Sequence, residues 1–211
     1  MAIMQSYWRF LCLMMLFLSL SSCGGSAGDA DAASLAKAGD IIFQESKSAQ
    51  SQAIKLATRS SYTHCGIIFE KDGQLQVLEA SSTVGWVSIR EWVEGGVNGH
   101  FVLMRPKKTL DEASLAAMLA AIPRYLDKDY DLLFQWSDDT IYCSELVWKI
   151  YQKADIELCP LKTFGDFKLD SEIVKTIVKK RYNADLPPLD EPVVAPSDLM
   201  ESPLLKVVGK N

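Results

Sequence analysis

Histidine is scarce in this sequence, which has only His64 and His100 among its 211 residues. Any chemistry that needs an imidazole therefore depends on one of these two side chains. No group of His, Cys and acidic residues has the spacing of metal ligands, so we expect neither a bound metal nor another cofactor. The chain also has no internal repeat, and its length is enough for one sizeable core but not comfortably for two.

Positive charge is also scarce. The chain has 22 Lys and Arg residues against 27 Asp and Glu residues, which gives a formal net charge of −5 at pH 7. No long basic run is present in the part of the chain that follows the N-terminal segment. Nucleic acid is therefore not expected as a partner.

The apolar run near the N-terminus is too short to span a bilayer. It extends from Phe10 to Leu20, follows the single basic residue Arg9, and contains eleven residues, whereas a spanning helix needs about 20. A short apolar run behind a basic residue is typical of a secretory signal peptide. We therefore predict a signal peptide over residues 1–22.

Residues 20–23, with the sequence LSSC, end this run and resemble the lipobox of bacterial lipoproteins. The resemblance implies that Cys23 becomes the lipid-modified N-terminus and anchors the protein in a membrane. Residues 23–38 are rich in Gly, Ser, Ala and Asp and are predicted to form a flexible tether to a domain at 39–211. Because glycine rather than aspartate follows Cys23, the outer membrane is the expected location if the host is Gram-negative. A secretory signal with a chance cysteine is the alternative.

Three cysteines remain after the signal peptide and Cys23 are set aside, namely Cys65, Cys143 and Cys159. In an oxidising compartment an odd number leaves at least one thiol free or bonded to another chain. Catalysis is one reason for a protein to keep a free thiol in such a place.

Cys143 lies at the start of a predicted amphipathic helix. Apolar residues recur behind it at helical spacing and form one stripe, which consists of Leu146, Val147, Ile150 and Ala154. Cys143 would then lie at the positive end of a buried helix, where unpaired backbone N–H groups favour the thiolate that attacks carbonyl carbon. The alternative is a small apolar residue that fills the seam between helix and sheet.

Two strands are predicted at residues 64–69 and 75–80, and Asp72-Gly73 between them is a strong signal for a tight hairpin turn. If these two residues form the turn, the residue numbers of each cross-strand pair sum to 145. The remaining segments include helices at residues 48–58 and 171–182, a helix opened by a capping box at Thr109, and a last strand near the C-terminus. Helices together with hairpin-linked strands indicate an α+β fold.

This hairpin register brings His64 and Glu79 onto one face of the sheet as diagonal neighbours, with backbones about 7–8 Å apart. Gly66 lies opposite Glu79 and leaves room for its side chain. The register therefore predicts a His–Glu couple, which is a base with its orienting acid. The alternatives are a His64 that is hydrogen-bonded to a nearby hydroxyl and a solvated Glu79. Cys65 points to the opposite face and is predicted to be a core residue.

Four blocks of sequence together resemble the YiiX/YebB-like branch of the NlpC-type cysteine hydrolases. They are GDIIF at 39–43, SYTHCGI at 61–67, VLEA at 77–80 and YCSEL at 142–146. The resemblance implies a circularly permuted papain-like fold, in which an antiparallel sheet packs against helices and the histidine precedes the cysteine. It also implies that Cys143 is the nucleophile, His64 the general base and Glu79 the orienting acid. Tyr62 or Tyr142 is expected to line the oxyanion site.

The predicted function is that of an envelope-anchored cysteine hydrolase that cleaves an amide of the peptide or cell-wall type, or another acyl bond, through an acyl-enzyme. Permuted relatives also include acyltransferases that act on lipids, so the substrate is a peptide, a cell-wall component or a lipid acyl group. The alternative is a non-catalytic envelope lipoprotein that has the same fold and holds a ligand in its cleft.

The lipobox predicts a simple outcome for Cys23→Ala. Without the thiol that accepts the lipid, the protein should move from the detergent phase to the aqueous phase in a Triton X-114 partition. A variant protein that stays in the membrane fraction would show that Cys23 is not the anchor.

Overall fold

The computed structural model describes residues 32–211. The predicted signal peptide, Cys23 and the first part of the predicted tether lie outside these residues. The strands are β1 (Ile41–Gln44), β2 (His64–Lys71), β3 (Gln74–Ala80), β4 (Val84–Ser88), β5 (Val102–Pro106), β6 (Lys162–Thr163), β7 (Pro192–Val193) and β8 (Leu205–Lys210). The α-helices are α1 (Ser51–Thr58), α2 (Ile89–Gly95), α3 (Glu112–Ala121), α4 (Cys143–Gln152), α5 (Glu172–Tyr182) and α6 (Pro196–Met200), and short 3-10 helices lie at Val97–Gly99, Ile122–Arg124 and Phe164–Asp166.

Six strands form one antiparallel sheet in the order β4-β3-β2-β1-β5-β8, and β6 pairs with β7 in a small separate ribbon. The α+β prediction is confirmed. The hairpin turn is confirmed too, because Asp72 and Gly73 both have positive φ, at 53° and 77°, as a two-residue type I′ turn requires. The strand pairs run from Lys71↔Gln74 to Ile67↔Leu78, so the predicted register is confirmed.

The sheet is buried on both faces, and alternation along β2 decides which residues contribute to each face. Ile67 and Phe69 face the larger core, where α4 contributes Leu146, Val147 and Ile150. This packing holds the helix that begins at Cys143 firmly against β2.

The opposite face is covered by α2, whose Trp92 and Val93 pack against Ile68 of β2. Ala32 and Ala36 also pack here, although the sequence analysis assigns both to the tether. Asp40 and the carbonyl of Leu35 both accept hydrogen bonds from Arg105, which ties this segment to β5. Ala32 and Ala36 are therefore packed on the domain, because their small side chains fit against the sheet, whereas residues 33–35 are exposed.

Two helix predictions differ from the structure in detail. Asp111, and not Thr109, caps α3, since its side chain accepts a hydrogen bond from the backbone N–H of Ser114 at 2.8 Å. The helix predicted at residues 48–58 begins at Ser51 and packs against α5 through a small cluster of its own. Within residues 32–211, no helix combines the length and apolar character needed to cross a bilayer.

Two glycines in the strands that flank β3 should respond differently when each is replaced by alanine. A Cβ at Gly66 would collide with the Val77 side chain and lie 3.0 Å from the carbonyl oxygen of Leu78, whereas a Cβ at Gly85 has open space. Gly66→Ala should therefore lower the free energy of unfolding by about 1–3 kcal/mol. Urea titration measures this loss. Gly85→Ala is the matched control, and an equal loss in both variants would contradict the packing at Gly66.

Candidate active site

Cys143 is the first residue of α4, and its side chain is only 2% exposed. The first N–H groups of a helix have no partner within the helix, so they give this position a positive electrostatic potential. Glu145 fixes this end of the helix, since its carboxylate accepts a hydrogen bond from the backbone N–H of Tyr142 at 3.3 Å. Lys149, one turn further on, lies 2.7 Å from the other carboxylate oxygen and balances the buried charge.

His64 is held from two sides at the start of β2. Its Nε2 is hydrogen-bonded to Oε2 of Glu79. Its ring stacks on Trp92 of α2, with 5.9 Å between ring centroids and 19° between planes. The hairpin therefore brings His64 and Glu79 together as the register predicts, and Nδ1 of the imidazole is left to face Cys143.

Cys143 and His64 shift each other's protonation. Burial lowers the pKa of His64, but Cys143 and Glu79 raise it by more, so that the pKa reaches about 10. The Cys65 thiol, as a hydrogen-bond donor, is the largest cause that lowers the pKa of Cys143, and His64 lowers it further against the effect of burial. The site therefore favours a thiolate paired with an imidazolium at neutral pH.

Cys65 is a fully buried core residue, and it also contacts Cys143. Burial is the main cause that raises the pKa of Cys65 well above its ordinary value. The sequence analysis gave Cys65 no place in the site. Side chains alternate along β2, so Cys65 points away from Glu79 and toward the face on which α4 packs. The contact with Cys143 is therefore predictable from the sequence pattern. Cys65, Cys143 and Cys159 are all free thiols.

The two tyrosines proposed for the oxyanion site have other partners. Tyr62 contacts Nε2 of His100 at 3.4 Å through its hydroxyl. The hydroxyl of Tyr142 accepts a hydrogen bond from the backbone N–H of Val194 at 3.2 Å. Tyr142 nevertheless lines the cavity beside Cys143.

Tyr130 is a site residue to which the sequence analysis assigned no role. Its hydroxyl accepts a hydrogen bond from Nε2 of Gln50 at 3.0 Å and lies within hydrogen-bonding reach of Cys143. A single parallel bridge between Tyr130 and Ile141 sets this position. Such an isolated bridge has no periodic pattern, so no local pattern in the sequence signals the contact.

Cys143 lines a cavity of about 110 Å³ between α1, α5 and the start of α4. Its walls are mainly apolar, with Ala53, Ile54, Phe134, Phe164, Phe167, Leu169, Val174, Ile177, Val178 and Val194 among the lining residues. Gln50, Tyr130 and Arg181 add polar groups. The arrangement can hold an apolar group of a ligand against the thiol.

No group of three or more His, Cys, Asp and Glu side chains that could hold a metal ion is present within the described residues 32–211.

Comparison with known proteins gives consistent results. The family model of the permuted papain-like amidase enzyme, YaeF/YiiX, C92 family, matches residues 35–209. The uncharacterized protein YiiX of Escherichia coli (strain K12) is 38% identical over 173 residues, which are 82% of this chain and 85% of YiiX.

A crystal structure of YiiX from Escherichia coli O157:H7, described as a metalloprotein, has a TM-score of 0.80 at 37% identity. The structural match covers 84% of this chain and 98% of the YiiX chain. The permuted fold implied by the four sequence blocks is thus confirmed, and the chain belongs to the YaeF/YiiX (C92) family of permuted papain-like amidases.

Proposed function

We propose that this protein is a cysteine hydrolase that cleaves an amide or a related acyl bond through a triad of Cys143, His64 and Glu79. The observation that carries the proposal is the position of His64, which is hydrogen-bonded to Glu79 on one side and paired with Cys143 on the other. Membership of a family of papain-like amidases supports the same class of reaction.

The first half of the reaction forms an acyl-enzyme. The Cys143 thiolate attacks the carbonyl carbon of the substrate, a carbon–sulfur bond forms, and the carbonyl electrons move to oxygen. When this intermediate collapses, the bond from carbon to the leaving group breaks. The His64 imidazolium gives its proton to the leaving group, which departs as a neutral amine or alcohol.

The second half releases the acid. A water molecule attacks the thioester carbonyl while His64, now neutral, takes the proton from that water. Collapse of the second intermediate breaks the carbon–sulfur bond and regenerates the Cys143 thiolate and the imidazolium. Glu79 holds the imidazole in one orientation and stabilises its charged form throughout.

Two groups near Cys143 support stabilisation of the oxyanion. The backbone N–H of Cys143, in the first turn of α4, would donate to the oxyanion, and a donor of this kind is worth about 3 kcal/mol in analogous sites. The hydroxyl of Tyr130 accepts a hydrogen bond from Gln50 and lies within hydrogen-bonding reach of Cys143, so it would donate its own proton on the side of the thiol.

The cavity supports an apolar acyl group as one half of the substrate. Burial of a hydrocarbon chain against its apolar walls is favourable at about 25 cal/mol per Å², whereas a polar cell-wall peptide would leave polar groups unpaired there. We further propose that lipidated Cys23 anchors the enzyme in the cell envelope, where lipid substrates are close at hand.

The direct test is incubation with two substrate sets, purified peptidoglycan and a panel of fatty acyl amides and esters, followed by mass spectrometry. Wild-type protein should release free fatty acid, and Cys143→Ala should release none. If neither set yields a Cys143-dependent product while the protein still binds acyl chains, the non-catalytic binding protein is the better account.

The thiols should differ in reactivity. Because the pKa of Cys143 is lowered, its alkylation by iodoacetamide should change little between about pH 6 and pH 8, whereas an ordinary thiol reacts about tenfold faster for each pH unit. Burial raises the pKa of Cys65, and it raises that of Cys159 to about 12, so both should react slowly. Peptide mapping after brief labelling measures the three rates. Faster labelling of Cys65 or Cys159 would count against the triad.

Glu79→Gln should lower turnover about 10- to 1,000-fold, less than Cys143→Ala does, since the orienting member contributes less than the nucleophile. The carboxylate raises the pKa of His64. Loss of the Glu79 carboxylate should lower the pKa of His64. The imidazolium then loses its proton at a lower pH, so the basic limb of the kcat/KM profile moves to lower pH. Ser81→Ala is the control, because this hydroxyl is exposed. Full activity in Glu79→Gln together with a loss in Ser81→Ala would reassign the third member of the triad.

A further inference from the structure

Arg181 is a charged residue in the cavity wall, and the proposed triad mechanism assigns it no role. It lies near the C-terminal end of α5 and is half-buried. Its Nη2 donates a hydrogen bond to Oε1 of Gln50 at 2.7 Å, and its guanidinium carbon lies 5.5 Å from the ring centroid of Phe134. These contacts hold the guanidinium at one place in the cavity wall.

No carboxylate neutralises this guanidinium within residues 32–211. By comparison, Arg105 forms an ion pair with Asp40 and Arg124 forms one with Asp138. Asp131 contributes to the field at Arg181, but its two oxygens accept hydrogen bonds from the backbone N–H groups that follow it along the chain.

Burial is the largest cause that lowers the pKa of Arg181. A guanidinium has five N–H donors, and the bond to Gln50 uses one of them. Since desolvation of an unpaired charge is costly, the position suits a ligand that brings a negative charge.

The guanidinium is also linked to the nucleophile through two side chains. Gln50 accepts from Arg181 and donates to the hydroxyl of Tyr130 at 3.0 Å, and that hydroxyl is within hydrogen-bonding reach of Cys143. A group bound to Arg181 would therefore lie in the same cavity as the carbonyl that Cys143 attacks.

We propose that Arg181 binds an anionic group of the substrate, a carboxylate or a phosphate, in the cavity that Cys143 lines. This assignment rests on the proposed hydrolase function and names its substrate class, which is an amphiphile whose apolar chain fills the cavity and whose anion contacts the guanidinium. The planar guanidinium packs against Phe134 and leaves its other N–H edges for paired hydrogen bonds to such an anion.

Binding to Cys143→Ala protein tests the proposal without turnover. Isothermal titration calorimetry with N-dodecanoylglycine, dodecyl phosphate and the neutral N-dodecanoylglycinamide compares a carboxylate, a phosphate and an uncharged head on one chain length. At least one anionic ligand should bind about tenfold or more tightly than the neutral amide. The anionic ligand that binds more tightly identifies whether the site prefers a carboxylate or a phosphate.

Substitutions at Arg181 separate charge recognition from packing. In the Cys143→Ala background, Arg181→Gln should remove the preference and leave the affinity for the neutral amide within about twofold, whereas Arg181→Lys should keep part of the preference. Lys179→Gln, whose side chain is 73% exposed on the same helix, should change neither affinity. Thermal melts identify any variant that fails to fold. If the anionic ligands bind no more tightly than the neutral amide, or if folded Arg181→Gln keeps the preference, the proposal is wrong.

The two proposals fail in different ways. If the protein prefers anions through Arg181 but hydrolyses none of these amides, the Arg181 site stands and the hydrolase proposal is wrong. If the protein hydrolyses charged and neutral amides with equal kcat/KM, and Arg181→Gln does not change these values, the hydrolase proposal stands and the anion site is wrong.

Discussion

The hydrogen bond between His64 and Glu79 is the interaction on which the rest of the site depends. It joins two strands of one hairpin, so its geometry is set by a two-residue turn and by the backbone pairing between β2 and β3. Gly66 supports this pairing, because a side chain there would collide with Val77 and crowd the carbonyl oxygen of Leu78, next to Glu79. The bond leaves one imidazole nitrogen for Cys143 and supports the charged form of the ring.

The second half of the site comes from a different element, and core packing joins the two halves. The apolar stripe of α4 lies on the face of the sheet that carries Ile67, and this contact fixes Cys143 at the start of β2. Burial alone would favour the neutral thiol. The hydrogen bond from Cys65, the pairing with His64 and the first turn of the helix together outweigh that effect. Stability of the core and reactivity of the thiol therefore depend on the same contacts.

Features with a regular period were predictable from the sequence, and contacts made only by tertiary packing were not. The turn at Asp72 set the hairpin register, and the helical stripe placed Cys143 at a helix end. An isolated backbone bridge to Ile141 places Tyr130 beside the thiol, and the packing of α5 on α1 places Arg181 in the cavity wall. No local pattern encodes either contact. Ala32 and Ala36, which the sequence places in the tether, pack on the sheet, since alanines suit both a tether and a sheet surface.

The central claim is that His64 is an imidazolium held between Glu79 and a Cys143 thiolate. Since the chain has only two histidines, His100→Gln leaves His64 as the single imidazole in a ¹⁵N NMR spectrum. With a pKa of about 10, His64 should remain doubly protonated at pH 8. Cys143→Ala should lower that pKa. A neutral imidazole at pH 8, titrating near the ordinary value of about 6.5, would contradict the ion pair and with it the proposed triad.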